Sequence, residues 1–459
     1  ATRALGQLQR RMDVLEAGQE ALKEDHRRLA ERTDTLEERL TGHKRPRQLP
    51  LRQCMFDQAG WISLKAKGFV GRQWLLAHIG GLLKEAQPFV LIRGEPGAGK
   101  SALMAALARG QEDVAIPGCD RIGAHVFCRW DDEATRTDRS VVGQLATMLA
   151  KTIPGYEAYL LDNPHLLELR DAWGNPRTAR SMLEQTVIVP LEGLEPQPVT
   201  AILVDSLDEA SPSVLSLLAT AGDALPRLPW LRILATTRPL TEVNLQLESK
   251  PVTILDTSTV ENQEDLRHFV QNFVQEQLGR ATDEELTQSI VNLSKGNFLF
   301  AQKTLEALRG GVMKREDVVA GKCPRNLQEF YLVRMHDLVG DRWHSTAKIL
   351  AIMIAANEPM SVAELATVCH VDPVSVSEAL QSVEQYLQDF DHSDDECRPR
   401  VHHKSFTDWL VGPVRHGFQI NKKLLQEGEA ALVGALTSAE STLGCSRYGL
   451  RWAVTHLLS

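Results

Sequence analysis

The segment Gly94-Glu95-Pro96-Gly97-Ala98-Gly99-Lys100-Ser101 constrains this chain more than any other. It fits the pattern Gly-x-x-x-x-Gly-Lys-Ser/Thr, follows directly on an apolar run at 89–93, and opens through Ala102 into a helix-forming stretch. Strand, glycine loop, helix is the context in which this pattern binds a phosphate chain. Glycines let successive backbone N–H groups turn toward the anion, and the helix N-terminus adds a positive field. Lys100 is then expected to reach the terminal phosphates and Ser101 to ligate Mg2+, so residues 94–102 predict a site for ATP or ADP with Mg2+. Such a loop also commits the chain to a sheet, because its strand needs neighbours and its helix must pack back on their face.

Those neighbours are visible as short apolar runs at 124–128, 200–204, 231–235 and 252–255, separated by helix-length segments that make them parallel. The expected fold class is therefore an α/β P-loop NTPase domain, a parallel sheet with flanking helices, over 69–258. From Asn262 onward amphipathic helices take over, as at Leu266, Phe269, Val270 and Phe273, predicting a helical domain at 259–325. Residues 362–380 predict two short helices, followed by another helix to Leu387 and a short strand at 400–402. That order fits a winged helix within 326–415, with a helical segment at 416–459.

At the other end, Leu8, Leu15, Leu22, Leu29 and Leu36 repeat every seven residues beside a second seam of Leu5, Met12, Gln19, His26, Thr33 and Leu40. This predicts a coiled coil over 1–42 and self-association through it. A basic, proline-containing stretch breaks the heptads and predicts a linker at 43–68.

A magnesium site needs a carboxylate at a second strand end. Asp205, closing the run Ala201-Ile-Leu-Val-Asp205, is the expected metal ligand with Ser101. On the turn that follows, Asp208 or Glu209 could position or deprotonate an attacking water, Glu209 being the first choice. Arg238, in Thr236-Thr-Arg238-Pro239 after the next apolar run, is expected to project toward the γ-phosphate. Lys100, Asp208, Glu209 and Arg238 are thus the candidate catalytic residues.

Together these segments resemble the signal-transducing NTPases of the NACHT and NB-ARC type, the STAND class, over roughly 69–415. The likeness includes Phe69-Val70-Gly71-Arg72, similar to the segment whose backbone lines the adenine pocket in that class, and Gly296-Asn-Phe-Leu-Phe-Ala301, similar to a Gly-x-Pro helical motif. Here Phe298 stands where the class often has proline. His403-Lys-Ser-Phe-Thr-Asp-Trp-Leu410 resembles the winged-helix segment whose histidine touches the β-phosphate of ADP; Met335-His-Asp-Leu338 is a closer literal match but precedes the winged-helix pattern. Within the class the chain is most similar to TANC-like, ankyrin-repeat members, which implies a repeat array after residue 459.

Composition narrows the partners. A net charge of -9 argues against unguided attraction to nucleic acid or an anionic membrane, and 361–405 holds nine Asp or Glu against three Lys or Arg, the wrong sign for a groove reader. Seven scattered cysteines without metal-ligand spacing suit a cytoplasmic protein. The expected role is an ATP/ADP-dependent signal-transducing switch with slow hydrolysis that controls self-association or binding of protein partners. The alternative is a nucleotide-binding scaffold without significant turnover. The chain starts at Ala1 and ends in a helix-like run, and is expected to be a fragment of a longer protein.

Overall fold

The computed structural model describes residue 57 onward, except 85–86, 112, 164–165, 167–177, 240–246, 248–251, 280–282, 402, 413–416, 439–442, 444–445, 447, 450–451 and 453–459. The heptads at 1–42 and the basic part of the linker lie outside the described residues, as does most of the chain after 443. Two compact units divide between Phe330 and Tyr331.

The first unit is built on five parallel strands in the order β2-β3-β4-β1-β5: β1 (Phe89–Arg93), β2 (Arg121–Phe127), β3 (Thr200–Asp205), β4 (Leu231–Thr237) and β5 (Val252–Ile254). Strands covered by helices on both faces must be apolar at every position, which is why Phe-Val-Leu-Ile and Ala-Ile-Leu-Val were legible as runs. Phe89, Leu91, Ile202 and Val204 enter a core shared with helices at Asp138–Thr152, Tyr156–Asp162 and Pro212–Ala224. The alternate residues Val90, Ile92, Ala201 and Leu203 enter a second core on the opposite face. That second core is closed by α1 (Ala59–Ala66), α2 (Gln73–Lys84) and α3 (Lys100–Arg109).

Helix α1 corrects the expectation that 43–68 is all linker. Ile62 and Ala66 are buried in the core with Leu103, Met104 and Leu107 of α3, and Gln58 is buried as well. Two apolar positions on one short helix are too few to register as periodicity in the sequence.

Beyond β5, α4 (Val260–Gln277), α5 (Glu284–Ser294) and α6 (Phe298–Arg309) enclose a small core of Leu266, Val270, Leu286, Ile290, Ala301 and Leu305. Each has a side-chain cap: Thr259 accepts Asn262 N–H, Asp283 accepts Leu286 N–H, and Asn297 accepts Phe300 N–H. These helices belong to the same compact unit as the sheet.

In the second unit, helices at Val362–Cys369 and Pro373–Gln381 are followed by strands Leu387–Gln388 and Arg400–Val401, which pair antiparallel, and then by helix Lys404–Val411. The expected third helix to Leu387 is a single 3-10 turn at Glu384–Tyr386, because Leu387 and Gln388 are taken by the ladder to Val401 and Arg400. Ser361 and Glu364 form a reciprocal cap, and Arg398 pairs with Glu364 at 2.8 Å. Among the described residues no helix is long and apolar enough to cross a membrane.

Candidate nucleotide site

Parallel register brings the ends of β1, β3 and β4 to one edge of the sheet: Arg93 is paired with Thr237, and Val204 with Ala235. The glycine loop leaves β1 there and enters α3. Gly97 and Gly99 have φ of 83° and 91°, the left-handed region where a side chain is costly. A Cβ on Gly97 would lie 2.4 Å from Asn297 Oδ1, so space excludes one as well.

The carbonyls of this loop are met by donors from several elements. Lys100 Nζ donates to Gly94 O at 2.5 Å and Glu95 O at 3.1 Å. Asn297 Nδ2 donates to Pro96 O at 2.9 Å, and the first amides of α6, Phe298 and Leu299, both donate to Gly97 O. Arg72 Nη2 donates to Ala98 O at 2.6 Å.

Arg72 is itself one of the most buried side chains in the unit. Its Nη1 donates to Asn262 Oδ1 at 2.5 Å, its amide donates to Asp265 Oδ2 at 3.0 Å, and its guanidinium carbon is 4.7 Å from the Phe298 ring centroid. Burial lowers its pKa to about 10, with Asp265 opposing. The 70–72 segment expected to line a base-binding pocket therefore spends the Arg72 amide and side chain on protein groups; Val70 is half-buried, and Gly71, at φ 76°, lies against Asp265.

At the end of β3 the expected pair converges. Asp205 is 2% exposed; its Oδ1 accepts Thr236 Oγ1–H at 2.6 Å and its Oδ2 accepts Ser206 Oγ–H at 3.0 Å. The Ser101 hydroxyl lies 3.5 Å from that of Ser206, which brings it alongside this carboxylate. Burial pushes the Asp205 pKa up, against the hydroxyl donors and Lys100, so an ionised Asp205 is short of positive charge. Lys100 has the mirror problem: burial lowers its pKa while Asp208, then Asp205, oppose.

Asp205 and Ser101 supply hard oxygen donors of the kind Mg2+ takes, too few for a site built by protein alone. Consistently, no group of three or more His, Cys, Asp or Glu among the described residues could hold a metal ion. The residues present fit a cation completed by water and phosphate oxygens.

The remaining candidates are arranged differently from the sequence expectation. Arg238, expected to point toward a γ-phosphate, places Nε 3.0 Å from Asp208 Oδ2, and its amide donates to Asp208 Oδ1 at 3.2 Å. Two groups read as separate roles thus form one ion pair, since β3 and β4 are neighbours and opposite charges at adjacent strand ends attract. Glu209 Oε2 accepts Trp130 N–H at 3.1 Å, which holds the carboxylate against the end of β2. His403 begins helix Lys404–Val411 in the second unit, where its carbonyl accepts Phe406 N–H.

Sequence reasoning missed Asn262, Asp265, Lys65 and Arg129 around this site. Each is an ordinary polar residue of a helix face or strand end, and only the partner, often far along the chain, gives it meaning.

A family model described as Nephrocystin 3, N-terminal, matches residues 72–238, which is less than half of the chain. No curated protein matches. Among solved structures, the Walker-type ATPase PABY2304 of Pyrococcus abyssi aligns at 14% identity and TM-score 0.36, covering 78% of this chain and 96% of that one. Cdc6p of Pyrobaculum aerophilum gives 14% and 0.32, covering 83% and 87%; the Thermotoga maritima RuvB Holliday junction branch migration motor gives 13% and 0.28, covering 79% and 97%. At TM-scores of this size none of the three bears on function or on how the units are arranged.

Proposed function

We propose that this chain is an ATP/ADP-dependent conformational switch of the STAND type, with slow hydrolysis. The observation that carries the reading is the position of Ser101 beside Lys100 at the start of α3, its hydroxyl 3.5 Å from that of Ser206, which in turn donates to the buried Asp205 carboxylate. Lys100 and the loop amides would hold the phosphate chain, and Ser101 and Asp205 would hold Mg2+. The metal, when bound, neutralises charge on the phosphate oxygens. Glu209, fixed by the Trp130 amide, is the group that would orient and take a proton from water; Asp208 stays with Arg238 until that pair opens.

The release of that pair, and of the loop from α6, would give the chain two states of different nucleotide affinity, as a switch requires. The order helix, helix, two-stranded ladder, helix in the second unit supports the winged-helix reading; a nucleotide contact by His403 belongs to the proposal through the resemblance alone. Self-association through the heptads at 1–42, protein partners, a cytoplasmic location and a following repeat array complete the proposal.

The first test is chemical: release and identify the nucleotide that copurifies, then titrate the stripped protein with fluorescent ATP with and without Mg2+. Binding should need Lys100, and the Mg2+ dependence should need Ser101 and Asp205; a wild type that binds neither ATP nor ADP refutes the reading. Exchange of ADP for an ATP analogue should change oligomer size, and an unchanged size removes the switch. The Asp208–Arg238 pair and the tethered Glu209 favour a second reading, a nucleotide-binding scaffold without significant turnover. Phosphate release by Glu209→Gln equal to wild type decides for it.

A further inference from the structure

The hydrogen bonds that meet residues 96–98 of the glycine loop form a closed circuit, which leaves the loop at one carbonyl and returns to it at another. Asn297 Nδ2 donates to Pro96 O at 2.9 Å. One residue back along the chain, Gly296 O accepts Asn262 Nδ2 at 3.2 Å, and Asn262 Oδ1 accepts Arg72 Nη1 at 2.5 Å. Arg72 Nη2 then closes the circuit on Ala98 O at 2.6 Å. Inside it, Gly97 O accepts the Phe298 and Leu299 amides at 3.0 and 3.3 Å.

The circuit has little slack. Asn262 is fully buried, and its Nδ2 also donates to Thr257 O at 2.8 Å. Gly296 has a φ of 81°, and a Cβ there would lie 1.9 Å from Thr257 O. A Cβ on Gly97 would meet both polar ends of Asn297, Oδ1 at 2.4 Å and Nδ2 at 2.8 Å. Asn297 Oδ1 accepts the Phe300 amide at 3.0 Å, so the first three amides of α6 are all spent at this junction, two on the loop and one on the residue that holds the loop. Fixing successive carbonyls of a loop on one side leaves its amides to face the other, where an anion is received.

We propose that Asn297 is a positioning residue for phosphate binding: through Pro96 it holds the loop in the form that receives the phosphate chain, and it ties that form to α6. The inference rests on the nucleotide-binding reading and adds to it the residue through which the helical region sets nucleotide affinity. Asn297 itself touches the loop and leaves the phosphates to the loop amides. Since the loop cradles the phosphates that ADP and ATP share, loosening it weakens both alike.

The test uses the whole chain, stripped of nucleotide and titrated with fluorescent ADP and a fluorescent non-hydrolysable ATP analogue in Mg2+. Asn297→Ser keeps an oxygen that caps α6, is one bond shorter, and adds no charge. It should weaken both nucleotides by about five- to ten-fold, the loss of one neutral hydrogen bond, while amide exchange at Ala301 and Leu305 of α6 stays as in wild type. Unchanged affinity, a loss confined to one nucleotide, or a loss that comes with faster exchange in α6 overturns the role, and wild-type binding then keeps the nucleotide reading intact. A wild type that binds neither nucleotide overturns both. Should Asn297→Ser not fold, exchange at the Phe298 and Leu299 amides of wild type decides: ADP and the ATP analogue should each slow it, and rates that ignore nucleotide refute the tie.

Discussion

Asp265→Asn separates charge from packing where the glycine loop meets the helical region. The carboxylate accepts the Arg72 amide at 3.0 Å and Trp74 Nε1–H at 2.9 Å, and its Oδ2 lies 4.0 Å from Arg72 Nη1. Asparagine keeps the size and one acceptor, and removes the charge. At this distance, with an effective dielectric constant of about 20, the lost attraction is on the order of 4 kcal/mol. The two side chains are 2% and 11% exposed, so solvent screens little of it. Arg72 would be left buried with only neutral acceptors, Asn262 Oδ1 and Ala98 O, having already lost part of its hydration. Allowing for relaxation, the substitution should cost about 2–4 kcal/mol at neutral pH. A unit of this size would then melt roughly 5–12 °C lower. Arg72→Met alone strands the carboxylate, whereas the double substitution removes the pair, so its cost should fall below the sum of the single costs by about 1–3 kcal/mol. Hydrogen exchange at the Leu266 and Val270 amides of α4 reads the loss inside the first unit and avoids averaging over both. A single-mutant cost below about 0.5 kcal/mol, or additivity within that margin, refutes the electrostatic account of this junction.

Three further outcomes follow from the same geometry. Asp205→Asn should stabilise the nucleotide-free protein at pH 7 and abolish the Mg2+ dependence of ATP binding. The sign comes from the raised folded pKa of Asp205: its contribution is present at low pH and lost as pH rises above the ordinary carboxylate range, so wild type and variant should converge in acid. A pH-independent difference in melting would count against this. Lys65→Met should also stabilise the free protein, by about 1–2 kcal/mol after screening of a half-buried chain. With a folded pKa of about 7 against 10.5, wild type regains stability as pH rises through that window, so urea unfolding should show a larger gain at pH 7 than near the top of it. Gly97→Ala combines a left-handed φ with a Cβ 2.4 Å from Asn297 Oδ1; it should cost about 1–3 kcal/mol and lower nucleotide affinity at least ten-fold by calorimetry, and wild-type affinity would refute the loop's role.

The strands were legible because a doubly covered strand has no polar face to interrupt it. β1 falls at the expected residues 89–93, while β2 starts at Arg121, three residues ahead of its apolar run, because pairing with Thr200 and Ala201 extends it through Arg121 and Gly123, which interrupt the hydrophobic signal on either side of Ile122. Lys100, Ser101 and Asp205 were legible because loop and strand end each carry their chemistry in a contiguous segment. Arg72 and its partners were not: Asn262 and Asp265 are 190 and 193 residues away and look like polar positions on a solvated helix. Arg238 shows a different limit. Strand ends could be located from sequence, but which charges face one another there depends on strand order, and β3 beside β4 hands Arg238 to Asp208.

A loop that binds phosphate through its amides must turn its carbonyls elsewhere, and each buried carbonyl then needs a donor. In this chain the donors for Pro96, Gly97 and Ala98 come from Asn297, the first turn of α6, and Arg72, the last of which is held by α4. Lys100 donates to Gly94 and Glu95, so the side chain expected to meet phosphate is itself one of the loop's internal supports. Recruiting Lys100 to a ligand would uncover those two carbonyls and load the remaining contacts, which belong to the helical region. Asn297 sits at the centre of that exchange: its Oδ1 caps α6 and its Nδ2 holds Pro96, so a loop that moves must move the helix or give up the bond. A nucleotide that recruited Lys100 would therefore act on these helices without a separate relay, through the way this loop satisfies its own backbone.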